Sequence, residues 1–401
     1  MIFMAKLIDI TGKALSGEWG LDDDNGSGIP VLRTTNFTNE GIVNYDNVVT
    51  RKISKKNISE MFVKKGDILI EKSGGSDKFP VGRVIYYDGE NDRYLFNNFT
   101  GLLRVKNVTI WYPKYVFYSL FANYKRGGTR CFENKTTGLH NLKTDAYVQR
   151  YEIAELPIEK QMRMCDNLDK IRSIIISQKK ELDYLDELVK ARFIEMFGGK
   201  YVEDTLLNLC NIIDYRGKTP EKVEKGLPFI TAKNVKMHYM TVEPREYISK
   251  ETYDKVMVRG FPEEGDVVFT TEAPLGNVCR IPHFDTEFYV GQRIVTLQTK
   301  KLNPVYLEYS LSDAAFVSKY MSKSSGSTVK GIRVRLLEKL TIPVPPRLLQ
   351  DEFADFVRQA DKSKLPNILI IYTLFVGMAY TLPGTLALYL CAKLSTVNGD
   401  M

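Results

Sequence analysis

Gly28-Ile29-Pro30-Val31-Leu32-Arg33-Thr34-Thr35-Asn36 returns later in the chain as Gly226-Leu227-Pro228-Phe229-Ile230-Thr231-Ala232-Lys233-Asn234. The glycine, the proline and the asparagine are unchanged, an apolar pair follows each proline, and the offset is 198 residues. Four further blocks follow in the same order. Lys65-Gly66-Asp67-Ile68-Leu69 returns as Glu264-Gly265-Asp266-Val267-Val268, and VGRV around Gly82 returns as LGNVCRI around Gly276. Pro113 to Leu120 matches Pro304 to Leu311 through the shared pattern P-x-Y-x-x-Y-S-L, and the exits LPIEKQ (156–161) and VPPRLLQ (344–350) match at Gln161 and Gln350. Across these blocks the offset drifts between 199 and 189. Two copies of one domain separated by small insertions and deletions produce such a drift, whereas chance matches would fall out of order.

Within each copy the pattern is one of short strands. GIPVLRTTNF, GDILIEK, VGRVIYY and GLLRVKNV in the first, and LPFITAKNV, GDVVFTTEA, NVCRIP and QRIVTLQ in the second, alternate or run apolar between Gly, Pro and Asn. One helix follows in each, entered by Pro113 or Pro304 at its first turn. The expected fold class is α+β, with two tandem pseudo-repeated domains at residues 1–155 and 201–345. The length of 401 residues agrees, because single cores stop growing well below it. With 44% hydrophobic and 26% charged residues, the composition excludes collagen, a disordered tail and a disulfide mini-protein. Fifty-six Lys and Arg against 49 acidic residues leave a net charge of +7, which suits a polyanionic partner without specifying one. Five cysteines without a C-x-x-C pair point to a reducing compartment and to neither a disulfide framework nor a zinc site. The start of the chain carries Asp9 and no long apolar run, so no secretory signal is expected.

Between the copies, residues 156–200 read as a helical spacer. Met164, Leu168, Ile171, Ile175, Gln178, Leu182, Leu185, Val189, Arg192 and Met196 recur at alternating steps of four and three, and eight of these ten are apolar. A 3.5-residue repeat held over four heptads requires a second helix against the seam Leu168, Ile171, Ile175, Leu182, Leu185 and Val189. A helix of 40 residues would span about 60 Å. A helix packed on one domain is the plainer alternative, but sustained heptads favour a coiled-coil-forming spacer. Its mate is expected at the matching place after the second copy, residues 346–364, where Phe353, Phe356, Val357 and Ala360 begin a helical pattern.

The chain lacks the constellations that catalysis requires. Gly217-Lys218-Thr219 resembles the end of a phosphate loop, but Ile212 stands where its first glycine belongs. Asn303-Pro304-Val305-Tyr306 misses the second proline of the methyltransferase NPPY signature, and no Pro-Asp pair starts a nuclease motif. We therefore expect no catalytic residue, no metal site and no cofactor in this chain. What both copies do carry is polar and basic loops. Arg, Lys, Asn and Gln pair with base edges, while Gly, Ser and Thr let backbone approach phosphates. The candidate DNA-binding residues of the first copy are Arg33, Thr34, Thr35, Asn36, Lys72, Ser73, Ser76, Lys78, Arg130, Thr137, His140 and Asn141. Those of the second are Arg216, Lys218, Thr219, Lys233, Asn234, Thr271, Glu272, Gln292, Arg293, Ser327, Thr328, Lys330 and Arg333. Any one of these loops alone reads as an ordinary solvated loop. Together, the same loop types with different residues inside them suggest two readers of different sequences.

These residues resemble a known family, the DNA sequence-specificity subunit of type I restriction-modification systems. The resemblance covers about residues 6–361 and rests on GEWGLDDDNGSGIPVLRTTNF (17–37), KGDILIEKSGGS (65–76), TTGLHNL (136–142) with LPIEKQ, DYRGKTP (214–220), TEAPLGNV (271–278), GQR (291–293) and STVKGIR (327–333) with IPVPP (342–346). It implies two target-recognition domains, each reading one half of a split site in double-stranded DNA, with antiparallel helical spacers setting their separation. It also implies partners: two adenine methyltransferase subunits that use S-adenosylmethionine, and a motor-nuclease subunit that uses ATP and Mg. A cytoplasmic location follows.

Beyond Lys364 the pattern departs from the family. Residues 368–390 hold no charge, long enough to cross a bilayer, although Pro383-Gly384 interrupts them. A membrane partner would conflict with work on a genome, so the expectation for residues 365–401 is a tail replaced by an altered reading frame, leaving the central helix without most of its mate. Two rival readings stay open: a truncated relic or recombination partner of such a subunit, and the recognition part of a single-chain restriction-methylation enzyme. The second would need a cofactor-binding glycine loop and an intact NPPY motif, and the sequence has neither.

Overall fold

The computed structural model describes residues 3–381 except 56, 78, 137, 138, 200, 216, 218, 219, 292, 327 and 328. Among them the chain divides into two compact units, residues 3–174 with 374–381, and residues 175–373. The units are built alike.

In the first, β1 (Ile29–Leu32), β2 (Ile68–Glu71), β3 (Ser73–Gly75), β4 (Val84–Tyr86), β5 (Leu95–Phe96) and β6 (Thr100–Leu103) precede helix α1 (Pro113–Lys125) and the hairpin β7 (Glu133–Thr136) and β8 (Leu139–Leu142). An antiparallel sheet takes the order Leu15–Ser16, β6, β2, β4, and β1 pairs in parallel with β5. After the long helix α2 (Ile158–Phe197), the second unit repeats the plan with β9 (Leu227–Ile230), β10 (Val267–Thr271), β11 (Leu275–Arg280), β12 (Tyr289–Val290), β13 (Ile294–Gln298) and α3 (Pro304–Ser312). Its sheet order is Asn211–Ile213, β13, β10, β11, and β9 pairs in parallel with β12. The strands β2 and β10 are buried along their whole length, which is why they read as apolar runs instead of alternating.

The residues that the two copies share turn out to be clamps. Asn36 is 1% exposed; its Oδ1 accepts from the Arg33 amide at 2.9 Å and its Nδ2 donates to the Asn44 carbonyl at 2.9 Å. Asn234 does the same with the Thr231 amide (3.0 Å) and the Thr241 carbonyl (3.1 Å). Gln161 accepts from the Tyr112 amide at 2.9 Å and donates to the Ile110 and Leu156 carbonyls, while Gln350 accepts from the Asn303 amide at 2.8 Å and donates to Pro345. Each glutamine thereby ties the entry of a domain helix to the start of a long helix. Replacing either by alanine strands buried backbone groups, and a loss of about 2–3 kcal/mol is expected in urea denaturation; an unchanged midpoint would contradict the clamp.

The spacer helix forms over Ile158–Phe197, as its sequence period requires. Each half packs on its own domain: Cys165 and Leu168 join the first core, and Val189, Phe193 and Phe197 join the second. Of the expected seam, Leu168, Ile175 and Val189 are buried, and Ile171, Leu182 and Leu185 are half-buried. Near its end the buried face moves from Arg192 and Met196 to Phe193 and Phe197. A helix of 3.6 residues per turn drifts about 20° per heptad against a strict 3.5 repeat, so a neighbouring position takes over.

The last helix corrects an expectation. Instead of stopping near Lys364, α4 runs from Arg347 to Thr381 through Pro366. Proline removes one amide donor, yet the helix continues past it. Within the second unit α4 lies against α2 through Phe353 with Phe193 (ring centroids 5.3 Å) and Lys364 with Asp186 (2.7 Å). Among the described residues no helix is long and apolar enough to cross a membrane.

Candidate nucleic-acid interface

In the first domain the KSGGS segment is a strand and not a loop. β3 continues from β2 and pairs with β8, placing Asn141 opposite Ser73 and His140 opposite Gly75, so the expected loop Lys135–Asn141 is largely a hairpin. Gly75 is required there, because a Cβ would fall 2.6 Å from the Val81 amide nitrogen. Lys72, Ser73, His140 and Asn141 are thus brought together. Lys72 Nζ donates to Ser16 Oγ at 3.2 Å, and partial burial lowers its pKa. His140 is 3% exposed and lies between Glu133 (Nδ1 to Oε2, 2.8 Å) and Asp77 (Nε2 to Oδ1, 3.4 Å). A side chain so enclosed supports the hairpin. Ser76 and Arg130 are exposed beside it; Arg130 donates to the Asp77 carbonyl at 3.1 Å.

The RTTN turn divides by role. Thr35 is exposed, Thr34 and Arg33 are half-buried, and Asn36 faces inward as described. Arg33 donates to the Asn47 carbonyl at 3.0 Å. Arg83, which the sequence reading did not single out, donates to the Thr34 carbonyl at 2.9 Å and to Glu71 Oε1 at 3.3 Å, joining this turn to the end of β2. Burial raises the Glu71 pKa, and the adjacent guanidinium opposes that shift. At the equivalent place of the second domain Asn277 donates its amide to Thr270 Oγ1 (2.8 Å) and its side chain to the Val235 carbonyl (2.8 Å). The internal repeat, VGRV against LGNV, was the signal that could have found both.

In the second domain four of the expected segments meet at one cleft of about 640 Å³, lined by Gly217, Thr271, Glu272, Arg293, Gly331 and Arg333 among others. Backbone bonds hold it together. The Thr271 amide donates to the Arg293 carbonyl (2.7 Å), the Ile332 amide to the Thr271 carbonyl (2.9 Å), and Ser325 and Gly331 exchange two bonds of 2.9 Å. Thr271 itself is buried, with its hydroxyl on the Arg293 carbonyl at 3.2 Å, so only its backbone and the cleft floor belong to the site. Lys330 and Arg333 are exposed at the cleft segment, and Lys233 is exposed on the β9 turn, where Asn234 again faces inward. The expectation that Asn36 and Asn234 face DNA is therefore corrected: turn geometry at the end of a buried strand consumes their hydrogen-bonding groups. Lys78, Thr137, Arg216, Lys218, Thr219, Gln292, Ser327 and Thr328 lie outside the described residues. Among the described residues no group of three His, Cys, Asp or Glu is placed to hold a metal ion.

The family described as Type I restriction modification DNA specificity domain matches the chain twice, over residues 4–186 and 200–368. Among solved structures, the type I restriction-modification system S subunit from M. genitalium is similar over 97% of this chain and 96% of its own, at 13% identity and a TM-score of 0.55. A structure described as the structural basis of complex assembly and conformational transition of the type I R-M system covers 98% and 96%, at 16% identity and a TM-score of 0.47. The HsdS subunit from Thermoanaerobacter tengcongensis covers 99% and 95%, at 15% identity and a TM-score of 0.34. The first of these is a likeness of fold. No sequence among the curated proteins matches the chain.

Proposed function

The chain belongs to the type I restriction-modification DNA specificity family, and from that premise we propose that it reads a bipartite DNA site, one part with each domain, and scaffolds the subunits that act on it. The observation that carries this reading is the division of labour inside the repeat. Asn36 and Asn234, Asp67 and Asp266, and Gln161 and Gln350 hold the same frame in both copies, whereas the side chains that reach the surface on that frame differ: half-buried Ser73 stands in the first copy where exposed Glu272 stands in the second. A common frame with different surface side chains is what two readers of unlike sequences need, because base edges are distinguished by donor and acceptor pattern.

Under this reading the chain holds no cofactor. Two methyltransferase subunits would supply S-adenosylmethionine chemistry on adenine, and a motor-nuclease subunit would use ATP and Mg, all in the cytoplasm. The long helices α2 and α4 are the natural supports for such partners. Co-expression with a type I adenine methyltransferase subunit, followed by single-molecule sequencing for N6-methyladenine, tests the proposal. The expected result is a gapped two-part motif that vanishes when this chain is deleted. Absence of any motif, with the chain failing to co-purify, would overturn it in favour of a relic.

A further inference from the structure

The cleft of the second domain holds something that phosphate binding does not require: an exposed carboxylate. Near DNA an unpaired acid is repelled by the backbone. Arg293 neutralises Glu272, its Nε donating to Oε1 at 3.0 Å, yet the two side chains remain 55% and 48% exposed. Both are aimed by unusual backbone. Arg293 has φ +67° and Ala273, next to Glu272, has φ +48°, a left-handed region that costs a residue with a Cβ and that is found where function over-determines geometry. Gly331 lies against the acid, since a Cβ there would stand 3.3 Å from that of Glu272 and 3.5 Å from its Oε2.

We infer that Glu272 and Arg293 act as one unit that reads a G·C base pair in the half-site of the second domain. This rests on the reading of the chain as a DNA specificity subunit. With Nε on the glutamate, the two Nη groups of Arg293 are left to fork onto guanine O6 and N7. Glu272, engaged through Oε1, keeps Oε2 to accept from cytosine N4. In the major groove G·C presents acceptor, acceptor, donor in a row, whereas A·T presents acceptor, donor, acceptor and would set an arginine N–H against the adenine amino group. Only G·C in one orientation satisfies all three contacts. The first domain has Ser73 at the position of Glu272 by the 199-residue offset, so the rule belongs to the second half-site alone.

The test uses the complex with its methyltransferase and reads the methylated motif for the wild type, Glu272→Gln and Arg293→Lys. The wild type should specify at least one G·C pair in one half-site. In Glu272→Gln that pair should lose discrimination by roughly 5- to 150-fold while the other half-site is unchanged, which also shows that the variant folds. Arg293→Lys keeps the charge but loses the fork, and should relax the same position. A wild-type motif without a specified G·C pair, or a Glu272→Gln motif identical to the wild type, overturns the inference. Should the variants give no methylation, wild-type binding decides: 7-deazaguanine at the specified guanine removes N7 and should weaken binding severalfold, and unaltered binding overturns the inference. A wild type that methylates no motif is a different failure, that of the function itself.

Discussion

Replacing Phe353 by alanine should destabilise the second unit by about 3–5 kcal/mol, the range for removing a fully buried phenylalanine. Its ring is 0% exposed and is met by Phe193 at 5.3 Å, Phe197 at 5.6 Å and Tyr309 at 5.2 Å. Three elements, α2, α3 and α4, meet there, so no single neighbour can shift to fill the void without moving a helix. Because the chain has two compact units, denaturation is expected in two steps and not as one two-state transition. Only the step of the second unit should move. A shift shared equally by both steps, or a loss below about 1 kcal/mol, would show that this ring cluster does not hold the unit together. If the proposed split site is read by both domains, methylation should fall with it.

Asp67→Asn and Asp266→Asn should differ, although the two acids occupy the same turn. Asp67 is 2% exposed, accepts from the Lys64 amide at 2.7 Å, and takes two bonds from Arg104 at 2.8 and 2.6 Å. Asp266 accepts from the Glu263 amide at 2.8 Å and from the neutral Gln298 side chain at 2.7 Å. Losing the charge of Asp67 leaves a guanidinium without its counter-ion. Arg104 is 31% exposed, so the cost is discounted from that of a fully buried pair to about 2–4 kcal/mol. At Asp266 burial raises the pKa above 3.8, opposed by the hydrogen bonds of Glu263 and Gln298. A raised carboxyl pKa means that its contribution is full below pH 3.8 and is lost as pH rises through the folded value, so the ionised form is a burden at neutral pH. Asp266→Asn should therefore change stability by less than about 1 kcal/mol at pH 7, because asparagine still accepts from the amide. Equal losses in urea denaturation at pH 7 would contradict this account.

How much of this was legible beforehand depends on how local the cause is. The repeat, the strands GDILIEK and GDVVFTTEA, the prolines that open α1 and α3, and the 40-residue helix all follow from periodicity and turn chemistry among near neighbours. The sequence likewise marked the segments from which the second-domain cleft is made. It misjudged single side chains in other segments. Asn36 and Asn234 looked like readers because asparagine pairs with adenine, yet each closes a turn against a carbonyl seven or eight residues on. His140 was expected in a polar loop, and the hairpin encloses it.

What the sequence by itself determined is the frame: two copies, their strand order, and the helix between them. Those depend on apolar period and on turn residues, which act over a few positions. Only the tertiary structure decided which polar groups face the frame and which face outward. That choice is made where distant segments meet, as Thr271, Arg293 and Ile332 do through backbone bonds, or as Glu272 and Arg293 do at 3.0 Å. It also decided that α4 passes Pro366, although proline removes one amide donor from the helix.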